Sequence, residues 1–236
     1  KGVQGLGPAK RLEIHNLVHA VEQFDADLVC LQEVRSHHRK LARYFPGWPE
    51  QGQADYLLPD GYEAVYRTNA LTRHGEHGNA LLSRWPVVST GHEDVSDHRF
   101  EQRGLLHVVV KVEGVAVHVI VVHLGLIRPS RLRQLAQLRR YIAREVPSDA
   151  PVLVAGDLND VAWSHTSRLF RRLSGALDPR IGRGFYNSFH AGHRWLRWPL
   201  RWRLWVATST TTTATARRRA TRRRAFASTP WPARPS

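Results

Sequence analysis

The order of elements in this sequence predicts an α/β fold, a two-layer β-sandwich of mostly antiparallel sheets flanked by helices. Three observations carry that expectation. Helical apolar spacing recurs on either side of a central block with strand periodicity. That block contains two long apolar runs separated only by Glu113-Gly114, a tight hairpin signal. A short buried strand accompanies the helices on each side, and 236 residues fit one domain, since such domains run to roughly 250 residues.

Taken in order, residues 8–23 read as an amphipathic helix with Leu12, His15, Val18, His19 and Glu22 on one spacing. Residues 28–34 form a buried strand, and 35–44 a second helix closed by Pro46 and Gly47. A Gly-, Pro- and Gln-rich loop runs to about Gly61. Strand candidates then follow at 64–66, 79–83, 87–89, 105–112 and 115–123. A helix begins at Ser130, read as its N-cap after Pro129, with the stripe Leu132, Leu135, Leu138, Ile142 and Val146. Residues 151–156 are a buried strand, and 164–173 a last helix.

Composition narrows the function classes. With 42% hydrophobic and 23% charged residues the chain is ordinary for a globular protein. The single cysteine, Cys30, excludes an intrachain disulfide and a Cys-based zinc site. The longest apolar stretch, 105–127, is interrupted by Lys111, Glu113 and Gly114 and does not read as a membrane helix. No signal peptide is visible, although the chain opens at Lys1 without a Met, and a cytoplasmic monomer is expected.

The net charge of +15 is unevenly placed. All 20 acidic residues precede position 179, while 13 arginines follow it, so the folded part is close to neutral. Past Leu200 no helical or strand period survives: nine residues of Thr, Ser and Ala lead into Arg217-Arg218-Arg219 and Arg222-Arg223-Arg224. Such a composition does not bury enough apolar surface to order itself. The expected organisation is a domain over 1–200 and a disordered Arg/Thr/Ala-rich tail over 201–236.

Two clusters carry chemistry. In Leu31-Gln32-Glu33-Val34 a carboxylate stands at the C-terminal end of a buried strand, where a hard oxygen ligand suits Mg²⁺ or Mn²⁺. In Gly156-Asp157-Leu158-Asn159-Asp160, alternation puts Asp157 and Asn159 on one side of the chain. Alone, the first also fits a solvated edge residue and the second an ordinary turn.

Together with Gly78-Asn79-Ala80-Leu81-Leu82-Ser83-Arg84 and Val122-His123-Leu124, and in this order, these segments resemble the successive signatures of the endonuclease/exonuclease/phosphatase superfamily. That group includes deoxyribonuclease I, exonuclease III, sphingomyelinases and inositol-phosphate phosphatases, and the likeness is greatest to small bacterial members. The resemblance implies a deoxyribonuclease I-like sandwich and metal-dependent hydrolysis of a phosphodiester or phosphomonoester. By the same resemblance Glu33 holds the metal and His123 contacts the scissile phosphate. Asp157 orients the attacking water or its base, and Asn159 binds a phosphate oxygen. The substrate, nucleic acid or phospholipid head group, stays open at this point.

The sequence also departs from the family pattern. Lys1-Gly2 looks like the end of an Asn-Ile-His-Lys-Gly type run, whose Asn joins the metal site. No Leu-Asp-His followed by Ser-Asp-His stands near the C-terminus. Ser96-Asp97-His98 lies ahead of the hairpin, in the wrong order, and reads as a loop; His190 and His193 have no Asp partner in sequence. The expectation is therefore a domain without its first and last strands, an out-of-frame tail and impaired activity. A non-enzymatic alternative would use the Arg triplets with Trp195, Trp198, Trp202 and Trp205 to grip nucleic acid. His37-His38, His74 and His77 match no common zinc spacing.

Overall fold

The computed structural model describes residues 3–4, 11–160, 164–174 and 212–213. Two four-stranded sheets face each other with helices outside, which is the α/β sandwich the sequence predicts. In the first sheet the order is β10 (Thr212–Thr213), β3 (Leu28–Val34), β5 (Gly75–Ser83) and β4 (Glu63–Thr72), all antiparallel. The second runs β6 (Val87–Asp94), β7 (Gly104–Val112), β8 (Val115–His123) and β9 (Val152–Asp157). There only β8 and β9 are parallel, joined through α4 (Arg128–Glu145), since parallel neighbours need a long crossover.

Strand alternation explains the layering. Leu28 and Cys30 of β3, with Leu81 of β5, meet Leu106, Val108, Val119 and Val121 between the sheets. The intervening residues Val29 and Leu31 turn outward onto Ile14 and Val21 of α1 (Ile14–Phe24). On the other side Leu105, Ile120 and Val122 pack under Leu135, Leu138 and Tyr141 of α4. Each fully buried Leu or Ile contributes roughly 1.5–3 kcal/mol, so Leu81→Ala, at a site with 0% exposure, would cost ~2–5 kcal/mol. Burial also pushes the Cys30 thiol up to about 12, which leaves it an inert core residue.

Several boundaries differ from expectation. Helical spacing at Leu12 loses to pairing, because Arg11–Leu12 form β2 against β1 (Val3–Gln4), and α1 starts at Ile14. The helix expected over 35–44 is α2 (Arg39–Tyr44), capped by His38 through Nδ1 accepting from the Leu41 amide. A short α3 (Gln53–Tyr56) stands in the expected loop. Strands β4 and β5 are longer than their apolar cores because cross-strand pairing carries the polar ends. The Glu113-Gly114 hairpin is present, with both residues at positive φ.

Ser130 does not cap α4. Ile127 does, Pro129 sits in the first turn where its missing N–H costs nothing, and the Ser130 hydroxyl donates to Asp97 instead. The helix expected over 164–173 is α5 (His165–Ser174). His190, His193 and the four tryptophans of 195–205 lie outside the described residues, as does the 201–236 segment apart from Thr212–Thr213. Those two pair with Cys30 and Val29 on β3.

Candidate functional site

The C-terminal ends of β3, β8 and β9 meet at one end of the sandwich. On β3 the register with β5 slips between Leu31↔Ala80 and Val34↔Gly78, so one extra residue bulges from the strand. Glu33 lies in that bulge with φ +55, a left-handed conformation that few non-glycine residues adopt. Bulges re-aim side chains, and this one moves Glu33 off the strict alternation.

Across the sandwich His123 closes β8 as the register partner of Asp157 on β9. Its Nδ1 lies 4.0 Å from Glu33 Oε1 and its Nε2 4.0 Å from Asp157 Oδ2. One imidazole thus stands between two carboxylates, each contributed by a different sheet. Asn159 completes the group. Its backbone N–H donates to Asp157 Oδ1 at 2.8 Å, and its Nδ2 donates to the Leu124 carbonyl at 2.6 Å. These bonds hold Asn159 in its own left-handed conformation, φ +48. Glu33, His123, Asp157 and Asn159 therefore converge at one end of the sandwich.

Two supporting residues were not singled out from sequence. Asn79, opposite the Glu33 bulge and wholly buried, donates through Nδ2 to the Gly104 and Val121 carbonyls at 2.9 and 3.1 Å. It ties β5 to the beginning of β7 and the end of β8, the two strand ends flanking the site. An asparagine heading an otherwise apolar strand, Asn79-Ala80-Leu81-Leu82, was its signal. Arg103 is the second. Burial lowers its pKa, and the charges of Glu101 and Asp157 oppose that shift, so its guanidinium lies within the field of Asp157. Its Nη2 donates to Glu101 Oε1 at 2.9 Å.

Ser96-Asp97-His98 is a loop that pins α4. Asp97 accepts from Ser130 Oγ at 2.6 Å and from the Arg133 guanidinium, which together hold its carboxyl well below the usual range. His38 and His74 bring their rings within 6.2 Å. Among the described residues no group of three or more His, Cys, Asp or Glu side chains is placed to hold a metal ion. Mg²⁺ keeps several waters and takes only one or two protein carboxylates, so Glu33 is the residue that could serve as such a ligand.

The fold is thus a two-sheet sandwich with two carboxylates flanking a histidine at its strand ends. The model of the Endonuclease/Exonuclease/phosphatase family matches residues 3–235. The chain belongs to that family, a family of hydrolases. Uncharacterized protein YbhP of Escherichia coli (strain K12) is 37% identical over 172 residues, covering 72% of this chain and 67% of YbhP. Sphingomyelinase C of Leptospira interrogans is 27% identical over 170 residues, which cover 61% of this chain. This chain spans only about a quarter of that relative's length (27%). Among solved structures, sphingomyelinase C from Streptomyces griseocarneus superposes with a TM-score of 0.57 at 18% identity, over 85% of this chain and 75% of its own.

Proposed function

We propose that this chain is a divalent-metal-dependent phosphoesterase whose reaction centre is Glu33, His123, Asp157 and Asn159. The observation that carries this reading is the placement of His123 between Glu33 and Asp157, 4.0 Å from each. Glu33 would hold one Mg²⁺ or Mn²⁺. When bound, the ion supplies Lewis-acid polarisation of a phosphoryl oxygen.

The protein's own groups do the rest. His123 donates a hydrogen bond to an oxygen of the scissile phosphate. Asp157 accepts from the attacking water and orients it for in-line displacement. Asn159 has a second amide N–H beyond the one given to Leu124, and offers it to a phosphoryl oxygen as negative charge builds. Asn79 and the Asp157–Asn159 bond fix these groups before substrate arrives, so little reorganisation accompanies the reaction.

The test is turnover of a soluble bis-aryl phosphodiester by the purified chain with Mg²⁺ or Mn²⁺. Activity should disappear with EDTA and in Asp157→Ala, with circular dichroism unchanged in the variant. Turnover that survives Asp157→Ala, or that persists in EDTA, would refute the reading.

A further inference from the structure

Three loops surround the site, and each ends in an exposed apolar residue beside an arginine. The tip of the β4–β5 hairpin carries Leu71, near the end of β4, and Arg73 in its turn; the segment before β7 carries Arg99 and Phe100, and the segment after His123 carries Leu126 and Ile127, with Arg128 opening α4. Phe100 (83% exposed), Leu71 (73%) and Leu126 (69%) are the three most exposed large apolar side chains among the described residues. Their gathering at one end of the molecule is not what scattered surface leucines look like.

The loops are tied to one another. Gln102 Oε1 accepts from the Leu71 amide at 3.1 Å, and Glu101 Oε1 accepts from the Leu126 amide at 3.2 Å. They also lie at the site's end of the sandwich. Gly104 opens β7 where His123 closes β8, and the β4–β5 turn lies beyond Gly78, the partner of Val34 at the end of β3. Charge is sorted as well. The acids of the middle loop turn inward, Asp97 onto Ser130 and Arg133 and Glu101 onto Arg103. Arg73, Arg99 and Arg128 are exposed, with the Arg99 guanidinium 4.7 Å from the Phe100 ring centroid.

We propose that this rim is a membrane-docking surface that seats the site on an anionic phospholipid bilayer. Its apolar tips enter the interface and its arginines meet lipid phosphates. Nucleic acid would use the same arginines but gives no reason to expose Phe100, Leu71 and Leu126 together. No described helix is long and apolar enough to cross a membrane, so contact by the rim would be peripheral. The proposal deepens the phosphoesterase reading, and the substrate class it names, a phospholipid head group, rests on that reading.

The experiment is sedimentation of the full chain with vesicles of phosphatidylcholine and phosphatidylglycerol, in EDTA so that no hydrolysis occurs. It is run at about 0.15 M salt and repeated at about 1 M, where the Debye length of ~3 Å mutes the rim arginines and the Arg-rich C-terminal segment alike and leaves the apolar tips. The comparison is the quadruple variant Leu71→Ser, Phe100→Ser, Leu126→Ser, Ile127→Ser. Its partitioning should fall about tenfold or more, while turnover of the soluble diester stays at the parent rate. Single Phe100→Ser and Leu71→Ser variants, each losing about threefold, decide the matter if the quadruple variant does not fold. Equal partitioning of parent and variants would overturn the proposal. So would absence of vesicle binding, or binding that salt abolishes entirely. Vesicle binding without soluble turnover would overturn the phosphoesterase reading instead and leave the docking surface standing.

Discussion

His123 and Asp157 are direct register partners on the parallel pair β8 and β9, and the imidazole Nε2 lies 4.0 Å from Asp157 Oδ2. Each also opens a linkage to a neighbour: His123 toward Glu33 across the sandwich, Asp157 toward the backbone of Asn159. The site is thus a short chain of polar groups strung between two sheets, and its geometry depends on how those sheets are held together.

Removing the imidazole should leave the sheets intact and remove a donor to the phosphate. His123→Ala is expected to lower kcat on a soluble diester by ~10²–10³-fold, with KM little changed and the thermal transition within a few degrees of the parent. Steady-state kinetics checks this, and a variant retaining more than a tenth of the parent rate would show that His123 plays no part in the reaction.

Asn79 links the sheets directly behind the site. Asn79→Ala removes the buried amide that bridges the Gly104 and Val121 carbonyls, a loss of ~1–3 kcal/mol. The strand ends bearing His123 and Arg103 should loosen with it. Urea unfolding measures the stability term, and kcat should fall by more than unfolding alone accounts for at a temperature where the variant is fully folded. Isosteric Asn79→Leu should fill the volume yet leave the activity loss unrepaired.

The sandwich itself was legible because Leu28 to Leu31 and the β-branched run near Leu105 to Val110 are apolar on both faces and bounded by turn residues, as strands covered on two sides are. His123, Asp157 and Asn159 were legible for a local reason: each ends or follows an apolar run. Glu33's backbone was not, since the bulge arises from its pairing with β5, about fifty positions away. The bridging role of Asn79 was not legible either, its carbonyl partners lying 25 and 42 positions on. Leu12 was misread because a short strand and an amphipathic helix share its spacing, and only the partner Val3 decides between them.

A pair of histidines beneath α4 should make stability fall in acid. His107 Nε2 and His118 Nδ1 are 2.9 Å apart, and His107 Nδ1 is 3.1 Å from the Tyr141 hydroxyl. Burial first, and His118 second, lower the His107 pKa, with Glu145 opposing. The folded state therefore takes up the His107 proton at a lower pH than the unfolded chain, which does so near pH 6.5. The unfolded state binds more protons below that value, so stability is full above about pH 7 and declines as pH drops through ~6.5. Thermal melts across pH 5–8 should show this decline, and His107→Phe should flatten it. An unchanged profile in His107→Phe would assign the acid sensitivity elsewhere.

The backbone of Glu33 sets function against stability, and that conflict can be measured. A left-handed conformation at a non-glycine residue costs ~1–2 kcal/mol, and Glu33 adopts it at φ +55. Glu33→Ala removes the carboxylate but keeps the strained conformation. Glu33→Gly removes both, at the expense of a more flexible unfolded chain worth ~0.4–1 kcal/mol. The glycine variant should therefore match or exceed the alanine variant in stability, by up to ~1 kcal/mol. Both should lose Mn²⁺ binding by calorimetry and turnover of the soluble diester, because each lacks the carboxylate that faces His123. Glu33→Asp retains a carboxylate, shortens its reach and tolerates the left-handed region better than most residues, so it should keep weak metal binding. If Glu33→Gly is instead the least stable of the three, the bulge is held by its side chain and the strain reading fails. If calorimetry shows unaltered Mn²⁺ binding in Glu33→Gly, the metal is held elsewhere and Glu33 has lost its assigned role.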